Sequence, residues 1–356
     1  MNNYKKTLAT LLLLTPSIAL SSMAQEDKGT KIDQLSVESR VSYDYQGREA
    51  TPERIENKGF KGKFINIRID GQIVKGLTFS YRQRLNKNTD QTFFDATDWL
   101  HVDWAATNRL SFSAGKQVVA IGGYEYDRAP IDLYSCSEFW NNIPCYQLGV
   151  SATYRLGQKH SLLLQVCNSP FRSWMNNNNS YGINLMWYGN VGRWQTMYSA
   201  NMLEYAPGDW VKYIALGNRF LIANGLHLDV DLMSRSALDQ SALLKDFSIM
   251  SELSYSPTKA LRCFAKYTYD QNKSGDNADK LILDGTQLQM GSAGVEWSPI
   301  DNNYRDALRL YATGSYSWGD NTNPNGTMQD KELKIEAGVK FRLDILEGIQ
   351  RMIPRR

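Results

Sequence analysis

Two short stretches hold the side chains best suited to acid–base or metal chemistry. His227-Leu228-Asp229-Val230-Asp231 sets an imidazole and two carboxylates at alternate positions, and His101-Val102-Asp103 repeats the spacing. Alternate residues of an extended chain share a face. Each stretch could therefore offer an Asp–His pair to a hydrolase, or ligands to a metal. The partners for either chemistry are missing from the rest of the chain. It contains three His and four Cys, no G-x-S-x-G nucleophile turn, and no Cys/His spacing of a zinc site. No cofactor is expected, and the blander reading of both faces is polar lining of a water-filled space. Cys136 and Cys145 lie nine positions apart in one segment. In an exported chain a local disulfide is expected between them, while Cys167 and Cys263 fall on well-separated strands.

The elements that would position these residues follow from the hydrophobic pattern. The chain has 356 residues, 42% hydrophobic and 22% charged. Lys5 and Lys6, a short apolar stretch and Ser22-Met23-Ala24 read as a secretory signal peptide over residues 1–24, cleaved between Ala24 and Gln25. Cleavage would take the formal net charge from +3 to +1, which excludes a nucleic-acid binder. Beyond residue 20 no run of 18 apolar residues occurs, so helices do not span a membrane.

From Leu35 onward the dominant period is two. In the segment 308–318, Leu308, Leu310, Ala312, Gly314, Tyr316 and Trp318 share one face, and Arg309, Tyr311, Thr313, Ser315 and Ser317 the other. The segment 333–343 repeats this, with Ile335, Val339 and Phe341 opposing Lys334, Glu336, Lys340 and Arg342. One apolar and one charged face fit a barrel wall between lipid and water. Sixteen such segments begin near residues 35, 63, 77, 98, 109, 145, 160, 181, 193, 210, 226, 246, 260, 288, 307 and 332. Their connections alternate: short at 74–76, 107–108, 157–159, 190–192, 222–225, 257–259 and 299–306, and mostly long at 46–62, 86–97, 120–144, 169–180, 235–245, 271–287 and 319–331. Short turns on one rim and long loops on the other are the plan of a transmembrane antiparallel β-barrel of the outer membrane. Tyr43, Tyr45, Tyr267, Tyr269, Tyr316 and Trp318 fall at loop-side ends, and Tyr154, Tyr255, Trp297 and Phe341 at turn-side ends, as interfacial girdles would. The barrel is expected over residues 25–344. The remainder, 345–356, has helical spacing and reads as a periplasmic tail.

The longest connection follows the fifth strand. The strand end SFSAGKQ (111–117) and the following IGGYEYDRAPIDLY (121–134) resemble the phosphate-selective porin O and P family. The resemblance implies a sixteen-stranded outer-membrane porin with its third loop folded into the barrel as the constriction. It further implies a homotrimer embedded in outer-membrane lipid, with basic residues that favour anions, phosphate among them. This chain departs from that last feature, because its third loop sets Arg128 against Glu125, Asp127, Asp132 and Glu138.

The leading expectation is therefore a porin, not an enzyme: a water-filled channel for passive diffusion of small hydrophilic solutes and ions, with modest anion preference. Arg40, Arg68, Arg82 and Arg84 on the first three strands are expected to face Glu125, Asp127, Asp132 and Glu138 of the loop across a narrow aperture. Arg40, Arg68 and Arg82 should meet at one level. The alternatives are a barrel-embedded hydrolase using the His227/Asp229 face, and a closed barrel acting as adhesin or assembly scaffold.

Overall fold

The computed structural model describes residues 29–49, 54–86, 92–175, 179–240, 244–276, 278–300 and 307–352. The expected cleavage site at Ala24 and Gln25 lies outside the described residues, as do positions 301–306 and 353–356.

Sixteen antiparallel strands form a closed barrel. They are β1 Lys31–Glu49, β2 Arg54–Val74, β3 Leu77–Arg84, β4 Thr97–Ala105, β5 Leu110–Val118, β6 Tyr146–Leu156, β7 His160–Asn168, β8 Tyr181–Val191, β9 Trp194–Ala206, β10 Asp209–Ala223, β11 Leu226–Ala237, β12 Asp246–Tyr255, β13 Leu261–Asn272, β14 Gln287–Trp297, β15 Leu308–Asp320 and β16 Glu332–Asp344. Each strand pairs with its sequence neighbours. β1 closes on β16 in register from Ser36 opposite Asp344 to Arg48 opposite Glu332. Closure pairs every strand edge, which hydrocarbon surroundings require.

Alternation decides which face points where. On β15, Tyr311, Thr313 and Ser317 are buried, while Leu310, Ala312 and Tyr316 are exposed. On β7 and β8, Gln165 and Asn184 are 2% and 0% exposed, but Leu164 and Leu185 are 52% and 47% exposed. Water would drive the opposite arrangement. Apolar residues outside and polar residues inside suit a barrel wall in lipid. At the loop-side rim Tyr316, Trp318 and Tyr267 pack ring to ring, and Tyr43 meets Phe60 edge-on at 5.2 Å. Tyr154, Tyr255 and Trp297 stand exposed at the turn side.

Strand positions agree with the sequence pattern except at the first hairpin. The sequence assigns 46–62 to a loop, whereas β1 runs on to Glu49 and β2 starts at Arg54, with Gln46 opposite Asn57 and Arg48 opposite Ile55. This ribbon is polar on both faces, so no hydrophobic period marks it as a strand.

Among the described residues, four short helices interrupt or follow the barrel: α1 Tyr124–Asp127, α2 Glu138–Asn142, α3 Arg172–Met175 and α4 Ile345–Met352. The connection between β5 and β6 holds α1, α2 and a 3-10 turn at Pro130–Asp132. Its Val119, Ile121, Phe139 and Ile143 pack with Phe171, with Leu281 and Ile282 of the connection after β13, and with Leu203, Val211, Tyr213 and Met233 of β9–β11.

Candidate functional site

The β5–β6 connection leaves its strand along the barrel wall, and two glycines set that path. A Cβ on Gly122 would stand 2.5 Å from the Met197 carbonyl oxygen, and one on Gly217 of β10 would stand 2.8 Å from Gly123 Cα. Gly123 also has a φ of +124°, which L side chains rarely adopt. Backbone thus lies directly on backbone, the steric role of the Gly-Gly pair in the IGGYEYD segment.

Charged groups hold the next turns. Asp231 of β11 accepts the backbone N–H groups of Tyr124 and Glu125 at 2.9 and 2.8 Å. Arg128 forks onto Glu252 of β12 at 2.9 and 2.7 Å and reaches Asp229 at 3.3 Å. Arg40 of β1 donates to the carbonyls of Ile131 and Leu133 at 3.1 and 2.5 Å. Lys340 of β16 binds Asp132, and Lys266 of β13 binds Glu125. Tyr134 donates to Glu296 of β14 and stacks on Phe264 at 5.8 Å. On the return, Ser137 caps α2 by accepting the Trp140 N–H at 3.1 Å. Glu138 accepts from Asn321 at 3.1 Å and from the Met328 N–H at 3.3 Å, both beyond β15. One segment therefore touches side chains on β1 and on strands from β7 through β16.

The basic residues of the first strands are placed differently from the expectation. Arg68 and Arg82 are direct cross-strand partners. Arg40 lies opposite Phe64, whereas the β1 partner of Arg68 is Ser36, so Arg40 is displaced along the wall. The register of the long β1–β2 ribbon fixes this offset. Arg82 and Arg84 share one carboxylate, Asp98, at 2.9 and 3.3 Å. The Arg82 guanidinium also covers the Trp99 ring at 3.9 Å. Arg68 pairs with Asp70 of its own strand at 2.6 Å. On the neighbouring wall, Lys61 and Lys63 approach Asp44 at 3.7 and 2.5 Å, and Lys63 and Arg40 approach Glu336 at 3.4 and 3.9 Å. A vestibule of about 520 Å³ opens here above Tyr134 and Ser135.

The expected face-off between loop acids and the β1–β3 arginines is corrected. Glu125, Asp132 and Glu138 are engaged by Lys266, Lys340 and the connection after β15, because the loop crosses to β13–β16 before turning back. Asp127 remains exposed and forms no ion pair among the described residues. The expected disulfide is also corrected. Cys136 and Cys145 are free thiols. Cys136 lies near Lys266 and Glu125, Cys145 near Asp98 and Arg84, and α2 separates them. Desolvation pushes the two thiols up to about 12 and about 11 respectively, so little thiolate exists to start exchange.

The His–Asp faces are committed to structure. Asp229 is bound by Arg219 through two hydrogen bonds of 2.7 Å, and Asp231 holds the loop backbone. His101 Nδ1 lies 3.1 Å from Asp103. Among the described residues no group of three or more His, Cys, Asp or Glu side chains is arranged to hold a metal ion.

Sequence reasoning missed Asp98, which shares a phase with the outward Leu100 and Val102. A register shift between Arg82 and Gln83 skips it in the β3–β4 pairing, and the bulge turns it inward to 0% exposure. It also missed Arg235, which is fully buried between Asp246 and Asp279 at 2.8 and 2.7 Å. The inward Val211, Tyr213 and Ala215 of β10 are apolar, and that was the available signal that something covers this wall.

A closed barrel with an outward apolar belt, a polar interior and one loop bound across many strands defines the outer-membrane porin class. Residues 35–205 match the family model of the phosphate-selective porins O and P, so the resemblance read from the third loop holds over that stretch. No curated protein sequence matches the chain. Among solved structures, an anion-selective porin from Comamonas acidovorans is similar at 11% identity and a TM-score of 0.64, covering 88% of this chain and 100% of its own. The outer-membrane channel DcaP of Acinetobacter baumannii is similar at 10% identity and a TM-score of 0.63, covering 89% and 99%. OmpT, an outer-membrane protein of Vibrio cholerae solved in a trimer form, is similar at 12% identity and a TM-score of 0.55, covering 89% and 100%. At these identities the shared property is the fold. Fold and family match together place the chain among the porins of the outer membrane.

Proposed function

We propose that this porin is a passive, non-enzymatic channel whose third loop narrows the lumen and whose open side modestly prefers anions, phosphate among them. The observation that carries the reading is unequal pairing on one wall. Arg82 and Arg84 share Asp98, while Lys61, Lys63 and Arg40 share Asp44 and Glu336. Each group holds one more base than acid. Fixed positive charge in a narrow aperture raises the local anion concentration, and the excess is small, so the preference is modest. Of Arg40, Arg68, Arg82 and Arg84, Arg68 and Arg84 have the side chains more open to solute, while Arg40 and Arg82 brace the loop and the wall. A homotrimer in outer-membrane lipid fits the outward apolar belt and the trimer form of the Vibrio relative.

Planar-bilayer recording tests the reading. Purified protein should give ohmic current steps, and in a potassium chloride gradient the zero-current potential should lie on the anion side. A silent barrel, or a potential on the cation side, would falsify it.

A further inference from the structure

We propose that the cavity between the third loop and strands β3–β8 is a recognition subsite for a neutral sugar ring, an inference that rests on the reading of the barrel as an open channel. The cavity measures about 330 Å³, with Tyr126, Asp127 and Trp140 on the loop side and Trp99, Gln117 and Tyr188 on the wall side. That volume is in the range that small ligands occupy.

The charges around it argue against an ion. Both arginines that line it are engaged: Arg82 by Asp98 and Tyr146, Arg128 by Glu252 and Asp229. Asp127 is exposed at its edge without an ion pair among the described residues, and the cation it senses, Arg219, is bound to Asp229 through two hydrogen bonds of 2.7 Å. An anion would meet this carboxylate with no cation available to it. A cation would meet two guanidiniums. A neutral polyhydroxylated solute avoids both penalties, and its hydroxyls can donate to Asp127.

The loop and the wall each hold an unused donor. Tyr126 Oη and Gln117 Nε2 are buried without a hydrogen-bond partner among the described residues. Ser151 and Gln165 both donate to Gln117 Oε1 and so fix the amide's orientation. A ring hydroxyl can both accept and donate, which matches this mixture of Asp, Gln and Tyr. Aromatic faces complete the match, because the C–H face of a pyranose is apolar and flat. Arg82 already covers one face of Trp99, so Trp140 and Tyr188 are the stacking surfaces.

The test is single-channel current with glucose as the probe and sorbitol, an acyclic polyol of the same carbon number, as the control at matched viscosity. Glucose should lower the current saturably and sorbitol only in proportion to viscosity. In Tyr188→Ala the half-blocking glucose concentration should rise roughly three- to tenfold, the worth of one lost stacking contact. Asp127→Asn, which keeps the ring contact, should raise it less, and it serves if Tyr188→Ala fails to fold by heat-modifiable gel mobility. Equal effects of glucose and sorbitol on the native channel overturn the proposal, as does an unchanged half-block in both variants. In each of those outcomes current still flows, so the channel reading survives. A barrel without current defeats the channel reading itself, and this proposal with it.

Discussion

On β9–β12 the inward Leu203, Val211, Tyr213, Met233 and Met250 are at most 2% exposed beneath the third loop. On β16 and β1–β3 the inward positions are Lys340, Arg40, Lys63 and Arg82, held in ion pairs or on loop carbonyls. The two halves of one lumen thus follow different rules. An apolar wall facing water would be costly, so it recruits loops from after β5, β7 and β13 to cover it and becomes a packed core. The charged wall is satisfied by ion pairs and loop carbonyls, and the base left over in each group sets the electrostatics of the vestibule beside it. The loop is anchored on both sides, by packing on the first wall and by Arg40, Lys266 and Lys340 beyond it.

The largest effect should come from emptying the packed half. Phe139 is fully buried against Tyr126 and Tyr213, and Phe139→Ala should weaken the loop's seat by about 3–5 kcal/mol. Larger and noisier single-channel conductance is expected. Native conductance in that variant would break the comparison, because the covered wall would then not hold the aperture's size.

Next in size is the charged half. Arg82→Gln with Arg84→Gln leaves Asp98 without its two guanidiniums and turns a local excess of base into an excess of acid. The zero-current potential should move towards cations in dilute salt. The shift should shrink at about 1 M, where the screening length is about 3 Å. A shift of equal size at both salt concentrations would show that the change acts through shape and not through charge.

A smaller, pH-dependent effect should sharpen the boundary between the halves. Desolvation holds the Asp127 carboxyl above the ordinary carboxylate range, against an opposing pull from Arg219. As pH falls, Asp127 therefore gains its proton before carboxylates in the ordinary range do, and the loop loses a negative charge. Selectivity should move towards anions in that window. Asp127→Asn should already behave this way at neutral pH and lose the step.

The smallest effect is chemical. With both loop cysteines as thiols, alkylation under denaturing conditions without reductant should label all four cysteines in intact-mass analysis. Two labels would restore the disulfide and tighten the loop's return path.

The strand meander was legible in the sequence because a barrel in lipid imposes period two on every crossing. The starts of β3, β7, β8, β11, β12 and β16 fall at the expected residues. The β1–β2 ribbon was not legible, since residues polar on both faces pair as well as any others. Within the site, the level of Arg68 with Arg82 follows from strand pairing, but the offset of Arg40 follows from a register that no local pattern states. Asp98 was hidden by a bulge that breaks the alternation on which the lumen assignment rested.

The sequence by itself determined the closed barrel, the face each strand shows to lipid and the existence of one long folded loop, because these follow from local periodicity and connection length. Tertiary structure alone decided where that loop goes. Glu125 finds Lys266 and Asp132 finds Lys340 across sequence separations of 141 and 208 residues. A long-range ion pair leaves no periodic trace in the chain, because either partner alone looks like any other polar lumen residue. Only the closing of β16 on β1, and the seating of Gly122 and Gly123 on β9 and β10, bring those charges within reach.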